Sequence, residues 1–291
     1  MTQNMTSMLA TRGRSFGRAG RIRGLGLSGQ VALGVVLLAA LIAVVGPMLA
    51  TDDPLTIDLL STFGGPTGGH LLGFDIQGRD VVSRLLVGAR SSMIGPLMVV
   101  VLAMSAGTAL AIAAAWRRGR VDAFISSGMD VVFAFPGILL AVLSVTIFGA
   151  GLIAAVVALS IAYTPYVARV MRAAALKERT LPYVEALQVQ GASGLWICAR
   201  HVIPNMVPYL VAQTTILFGY AMVDLAAISY LGLGVQIPKP DWGLMISENQ
   251  SGIADGHTLP SLAAGLCIVV VVVAFNVLGD RLFSRAERIK R

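Results

Sequence analysis

Charge is scarce in this chain: Asp, Glu, Lys and Arg make up 13% of its 291 residues, where an ordinary soluble domain carries about 25%. Lysine occurs only as Lys177, Lys239 and Lys290, and none follows a glycine. That excludes a G-x-x-x-x-G-K-[ST] phosphate loop, so no nucleotide site of that type is expected here. The 2 cysteines, Cys198 and Cys267, lie in unlike surroundings and form no disulfide framework. The 3 histidines, His70, His201 and His257, sit singly in unrelated segments. They complete no Ser/His/Asp or Cys/His set and no metal-ligand spacing, so neither catalytic residues nor a metal or cofactor bound by this chain are expected.

Apolar residues are abundant, at 56% of the chain, and mean hydropathy is +0.79. A membrane span needs roughly 20 consecutive apolar residues. Runs of that kind cover 31–50, 93–115, 124–148, 151–171, 207–231 and 262–278. They predict an all-α polytopic membrane protein of about six transmembrane helices. The 151–171 run follows Phe148 so closely that the pair should form a tight hairpin. The organisation expected is a basic N-terminal tail over 1–30, a first span at 31–50, an outer segment at 51–92, a core at 93–280 and a basic tail at 281–291. A basic region before 31–50 resembles a signal peptide, but that run is too long and no small-x-small cleavage site follows, so an uncleaved span is expected.

Basic residues are distributed unevenly between the connections. Arg12, Arg14, Arg18, Arg21 and Arg23 precede the first span. Arg117, Arg118 and Arg120 lie between the second and third; Arg169, Arg172, Lys177, Arg179 and Arg200 lie between the fourth and fifth. Arg281, Arg285, Arg288, Lys290 and Arg291 follow the last, while Arg79, Arg84, Arg90 and Lys239 fall on the other side. Lys and Arg concentrate in cytoplasmic loops, which places both termini and the 183–205 segment on the cytoplasmic side of the membrane. This asymmetry also accounts for the formal charge of +7, so no nucleic-acid partner is needed.

The cytoplasmic segment 183–205, YVEALQVQGASGLWICARHVIPN, is the most structured of the connections. Thr180 and Pro182 carry helix-start chemistry, since proline suits the first turn, where its missing N–H costs nothing. The pattern breaks at Gly191, resumes through Leu195, Trp196 and Ile197, and is expected to stop at Pro204. Two outer segments, around GGPTGGHLLGFDIQGRD and around Pro238, Pro240, Trp242 and Gly243, mix turn residues with apolar ones. Within the apolar runs, Ala103, Gly107, Ala111 and Ala115 recur every fourth residue, spacing that allows close helix approach either within the chain or to a second subunit. Asp130 and Asp224 are the acidic residues inside apolar runs. Asp130 is read near the cytoplasmic end of its span and Asp224 near the outer end of its own, which suits structural or gating roles better than proton transfer.

Glu185, Ala186, Gly191, Ile203 and Pro204 together resemble the coupling motif of ABC-transporter permeases, E-A-A–x3–G–x9–I–x–L–P, with Leu187, His201 and Ile203 departing from it. Further elements are similar to the dipeptide/oligopeptide branch: His70 to Asp75 with Gly78-Arg79-Asp80 and Ser83-Arg84, Asp130 with Phe135-Pro136, Ser229 to Gly234, Asp241-Trp242-Gly243, and Phe275 to Asp280. Phe74 stands where that pattern has threonine. The ordered set most resembles the "C" permease subunit and implies a type I ABC importer permease fold. The resemblance also implies a second, "B"-type permease, two ATPase domains carrying ATP and Mg, and an extracytoplasmic peptide-binding protein. Its cargo would be a di- or oligopeptide, with nickel complexes or haem carried by other relatives. Glu185, Ala186, Gly191, Ile203 and Pro204 would couple to the ATPases. His70, Asp75, Arg79, Asp80, Trp242 and Gly243 would form the outer gate or binding-protein dock. An ion-coupled secondary transporter is the alternative, but it should show inverted repeats, and no internal repeat is legible.

Overall fold

The computed structural model describes residues 26–290, with side chains to residue 285. The N-terminal arginines of the orientation argument and Arg288, Lys290 and Arg291 therefore lie outside the described residues or side chains. Among the described residues the chain is helical, with only isolated bridges at Thr67–His70 and Phe74–Asp80. Helix α1 covers Gly26–Leu49, α2 Val81–Arg117, α3 Gly119–Phe133, α4 Gly137–Phe148 and α5 Leu152–Arg179. Two short helices follow, α6 (Pro182–Val189) and α7 (Gly194–Ile197), then α8 (Ile203–Tyr230). Helices α9 (Trp242–Glu248) and α10 (Gln250–Ala254) precede the last, α11 (Leu259–Lys290). Among the described residues, five helical stretches are long and apolar enough to cross a membrane, and α3 with α4 makes a sixth if the bent pair is one span.

That bend corrects the sequence reading of 124–148 as one continuous span. The helix breaks between α3 and α4 by 81°. Pro136 supplies the cause: it donates no hydrogen bond, and its ring disfavours the α conformation at Phe135. Asp130 consequently sits three residues before the end of α3, at the break, rather than near the end of a span. The hairpin between α4 and α5 is present, closed through Gly149 at φ +88°.

Helix α2 has 37 residues, about 55 Å at 1.5 Å per residue, so it outruns the roughly 30 Å apolar layer. Hydropathy located only its lipid-level part from residue 93. Its first turns, from Val81 through Arg90, pack instead with the 51–80 and 241–249 segments at one end of the bundle. The core lies where α2, α5, α8 and α11 meet, and α1 packs on α2 and α11 while turning Leu37, Leu38 and Leu41 outward.

The four-residue repeat of small side chains lies in the contact between α2 and α5. Ala103 and Ala111 are fully buried, and a Cβ on Gly107 would come within 2.7 Å of Val167 Cβ and 2.9 Å of the Thr164 carbonyl. The stripe is therefore used within the chain. Gly107→Val should lower stability by about 1–3 kcal/mol through overpacking, read as a drop in thermal midpoint in detergent. An unchanged midpoint would mean that α5 yields at no cost.

Helix α8 packs on α11 through Phe218 and Phe275, stacked at 3.8 Å, and through Gly219 against Asn276 and Gly279 against Thr215. The Phe275–Asp280 element is thus a helix-packing surface. Helix α8 ends in a Schellman arrangement: Leu233 N–H donates to Ile228 O and Gly232 N–H to Ser229 O, with Gly232 at φ +77°.

Candidate functional site

One end of the bundle carries α6 and α7. Pro182 occupies the first position of α6 and Leu181 is its N-cap; Thr180 donates instead to Lys177 O at 2.9 Å. Tyr183, Val184 and Leu187 pack inward, while Glu185, Ala186 and Val189 are exposed. Helix α6 closes in the same manner as α8. Ala192 N–H donates to Leu187 O and Gly191 N–H to Gln188 O, both at 3.0 Å, and Gly191 adopts φ +81°. The turn that follows delivers α7, capped by Ser193.

Pro204 does not stop the second short helix. Helix α7 runs through a π turn over Cys198–Val202 directly into α8, with Pro204 in the first turn of α8. The wider π turn accommodates a residue that can neither donate to the preceding turn nor avoid its carbonyl.

Three helices rivet this segment. Buried Glu178, at the end of α5, accepts from Tyr183 Oη at 3.0 Å and from Asn205 Nδ2 at 2.8 Å. Burial pushes the Tyr183 phenol up, which keeps it a donor. Arg179 Nη1 donates to the Ala115 and Trp116 carbonyls at 2.6 and 2.8 Å, so it caps the end of α2, and its guanidinium lies 5.2 Å from the Trp116 ring. Gly194 rests on the edge of the same indole, leaving no room for a side chain. None of Trp116, Glu178, Arg179, Gly194 or Asn205 stood out in the sequence as a site residue, because each works through a partner on another helix. The outward face is apolar: Val189 is 89% exposed, Leu195 86% and Trp196 49%. Charges on neighbouring helix ends, including the Arg172–Asp122 pair at 2.5 Å, gather at this end.

The opposite end is built on a buried ion network. Asp75 Oδ2 accepts from Arg79 Nε at 2.7 Å and Arg84 Nη1 at 2.5 Å; Arg84 Nη2 reaches Glu248 Oε2 at 2.6 Å. Arg79 Nη2 lies 3.1 Å from the same Glu248 oxygen. The four charges balance, and Asp75, Arg79 and Arg84 are at most 2% exposed. Asn249 Oδ1 accepts from Ile76 N at 2.9 Å, so the segment before α2 is sewn to α9 and the residue after it. Asp80 caps α2 through Ser83 N at 2.7 Å. Asp241 caps α9 through Gly243 and Leu244 and accepts from Ser92 Oγ at 2.7 Å; burial pushes its carboxyl up, and these hydrogen bonds oppose that. Trp242 Nε1 donates to Leu85 O at 3.0 Å, and Gly243 lies against the Ala226 backbone.

Asp75, Arg79, Asp80, Trp242 and Gly243 are therefore interior, and His70 alone of the expected dock residues is partly exposed. Buried side chains cannot form a docking face in this conformation. What they do here is hold a surface whose outermost residues include Leu60 and Leu71. Asp52, His70 and Asp80 bring ligand-type atoms within 4.8 Å of one another. The Asp80 cap and the 3.1 Å contact of His70 Nδ1 to its other oxygen account for that cluster.

Between the two ends, the α3–α4 break opens a cavity of about 330 Å³ toward α5 and α8. Asp224 faces it and accepts from Tyr163 Oη at 2.7 Å. Asp130 instead pairs with Arg169 at 2.8 Å, both side chains about two-thirds exposed; such a pair contributes about 0–1 kcal/mol.

The model of the family described as "Binding-protein-dependent transport system inner membrane component" matches residues 107–288. The glutathione transport system permease of Pectobacterium atrosepticum is 38% identical over 218 residues, 75% of this chain and 72% of that protein. The di/tripeptide transport system permease of Pseudomonas aeruginosa is 38% identical over 253 residues, covering 85% and 83%. The probable D,D-dipeptide transport system permease of Escherichia coli K12 is 32% identical over 246 residues, covering 84% and 82%. Among solved structures, an inward-facing MetNI methionine ABC transporter chain superposes with TM-score 0.53 at 22% identity, over 70% of this chain and 94% of that one.

Proposed function

This chain belongs to the family of binding-protein-dependent transport inner-membrane components, and from that membership we propose that it is one of two permease subunits of an ATP-driven importer of short peptides. In this reading the other half of the pathway comes from a "B"-type permease. Two ATPase domains with ATP and Mg dock at the α6–α7 end, and an extracytoplasmic binding protein delivers cargo at the α9 end. The carrying observation is the α6–α7 segment: fixed to α2, α5 and α8, it turns exposed Val189, Leu195 and Trp196 away from the bundle. An apolar patch outside the span, on a rigid mount, fits a protein partner. Motion imposed on it passes to α5 and α8 without an intervening flexible link. The membrane family carries the transport role, and hydrolysis falls to the partner subunits. Peptide cargo is supported by the names of the relatives. The test is ATP-dependent uptake of a labelled dipeptide by vesicles containing this chain with its partner subunits; copurification without uptake would refute the peptide reading.

The α6–α7 end and both termini are assigned to the cytoplasm. Cys198 is the natural thiol there, but it is buried, so its silence toward a reagent would report packing. Leu195, 86% exposed, is the better position. In a background with Cys198 and Cys267 replaced by alanine, Leu195→Cys should resist an impermeant maleimide in intact cells and react in inverted vesicles. Reaction in intact cells would reverse the orientation.

A further inference from the structure

The cavity at the α3–α4 break contains a carboxyl group, Asp224, with no basic residue among those lining it. Phe133 and Phe135 form one wall, Tyr163 and Tyr166 of α5 another, and Tyr220 and Asp224 of α8 a third. Asp224 is the only carboxylate among the lining residues, and none is basic. Its one hydrogen-bond donor among the described residues is the neutral Tyr163 hydroxyl. A carboxylate can accept from about four directions, so most of its capacity is left to the cavity. Arg169, on the same helix as Tyr163 and Tyr166, is not among the lining residues: it pairs with Asp130 at 2.8 Å and lies 4.9 Å from the ring centroid of Phe133, one of the cavity walls. Six residues along α5 separate it from Tyr163, roughly 9 Å of rise.

An intramembrane acid without a counter-charge is costly, and such a residue marks a pathway or a partner. Here its surroundings specify the kind of partner. Aromatic faces attract a cation through their ring quadrupoles, and a carboxylate among them favours an ammonium that can both ion-pair and donate. The volume, about 330 Å³, falls at the lower end of small-molecule sites, enough for the amino-terminal part of a short peptide.

We propose that this cavity is a cargo subsite that holds a free primary ammonium, with Asp224 as its counter-ion, Tyr163 orienting the carboxylate and Tyr166 and Tyr220 as aromatic walls. Identifying that ammonium with the amino terminus of a peptide rests on the importer reading above; the preference for a cation rests on the cavity alone. Acylated or anionic amino ends would leave Asp224 unpaired and should be rejected.

The full chain in nanodiscs can be titrated with alanyl-alaninamide, a cation, and N-acetyl-alanyl-alaninamide, its neutral counterpart, with saturation-transfer NMR as the readout. The cation should bind about tenfold or more tightly, on the scale of a desolvated cation–aromatic contact with an added ion pair. This comparison needs no variant. Asp224→Asn should reduce cation binding to the level of the neutral probe, while Asp224→Glu and Tyr163→Phe retain discrimination. Equal binding of both probes, binding of neither, or unchanged discrimination in Asp224→Asn would overturn the proposal. Loss of the second permease from Asp224→Asn complexes would overturn it too, by placing the counter-charge on that subunit. In vesicles with the assembled transporter, Asp224→Asn should lower uptake of labelled alanyl-alanine about tenfold. Absence of peptide uptake by the parent complex would sink the importer reading, while the probe comparison would still decide the cavity.

Discussion

Arg84→Ala should destabilise the protein by about 3–5 kcal/mol, the typical cost of breaking a buried ion pair by removing one partner. Arg84 is fully buried and bridges two acids, Asp75 at 2.5 Å and Glu248 at 2.6 Å. Its loss leaves two carboxylates with Arg79 as their only cation in the network, and it cuts the tie between α2 and α9. The unfolding midpoint in detergent should fall, and Trp242, whose indole nitrogen donates to Leu85 O one residue beyond Arg84, should report the opening through its fluorescence. Arg84→Lys should recover only part of the stability, because one ammonium cannot present the two-pronged fork that spans both acids. Asp75→Ala should resemble Arg84→Ala, since Asp75 also accepts from the backbone of Gln77 and Arg79. A cost within 0.5 kcal/mol, the usual range for surface substitutions, would show that water reaches this network and that it does not hold the outer cap.

The second large effect is expected in coupling. Gly191 stands at φ +81° with open space around it, so a side chain there meets no neighbour and the penalty is conformational. That penalty is about 1–2 kcal/mol for an ordinary residue and greater for a β-branched one. In Gly191→Val the turn between α6 and α7 should reorganise, and binding-protein stimulation of ATP hydrolysis in the assembled complex should largely disappear. Gly191→Asn, which tolerates the left-handed region, should retain much of it. Equal loss in both variants would tie Gly191 to steric contact with the partner instead of to backbone geometry. Glu185 is exposed. A carboxylate in the first turn of a helix is favoured by about 0.3–1 kcal/mol, so Glu185→Lys should barely move the unfolding midpoint. It should nevertheless abolish stimulation if Glu185 meets the ATPase. Stimulation like that of the parent in both Gly191→Val and Glu185→Lys would reduce the segment to a connector.

The Gly191 turn was legible in the sequence because its cause is local: one residue without a Cβ, placed where α6 must close. The inward face of α6 was legible only in part: Val184, Leu187 and Val189 are its apolar positions, of which Val184 and Leu187 pack inward while Val189 is exposed. The rivets of that segment were not. Glu178, Tyr183 and Asn205 come from three helices, and nothing in the identity of any one of them reveals the other two. The sequence places Asp75 and Arg79 in an outer gate or dock by resemblance alone, and Glu248 carries no signal of its own. An Asp, two Arg and a Glu look solvent-facing one at a time, and only the fold shows that the four charges cancel in the interior.

The sequence by itself determined the solvent through its composition, and, through its order, the apolar runs, the clustering of basic residues between them and the motifs by which the family is recognised. These follow from residues acting singly or over a few turns, where lipid transfer and turn geometry dominate. Tertiary structure alone decided that 124–148 breaks at Ala134–Pro136, that α2 begins twelve residues before its lipid-level run, and that Pro204 continues a helix. It alone joined Arg84 to Glu248 across 164 residues and set Tyr163 against Asp224 across 61. Hydropathy measures what a residue would gain in lipid, whereas these outcomes depend on which polar groups find one another once the helices have packed.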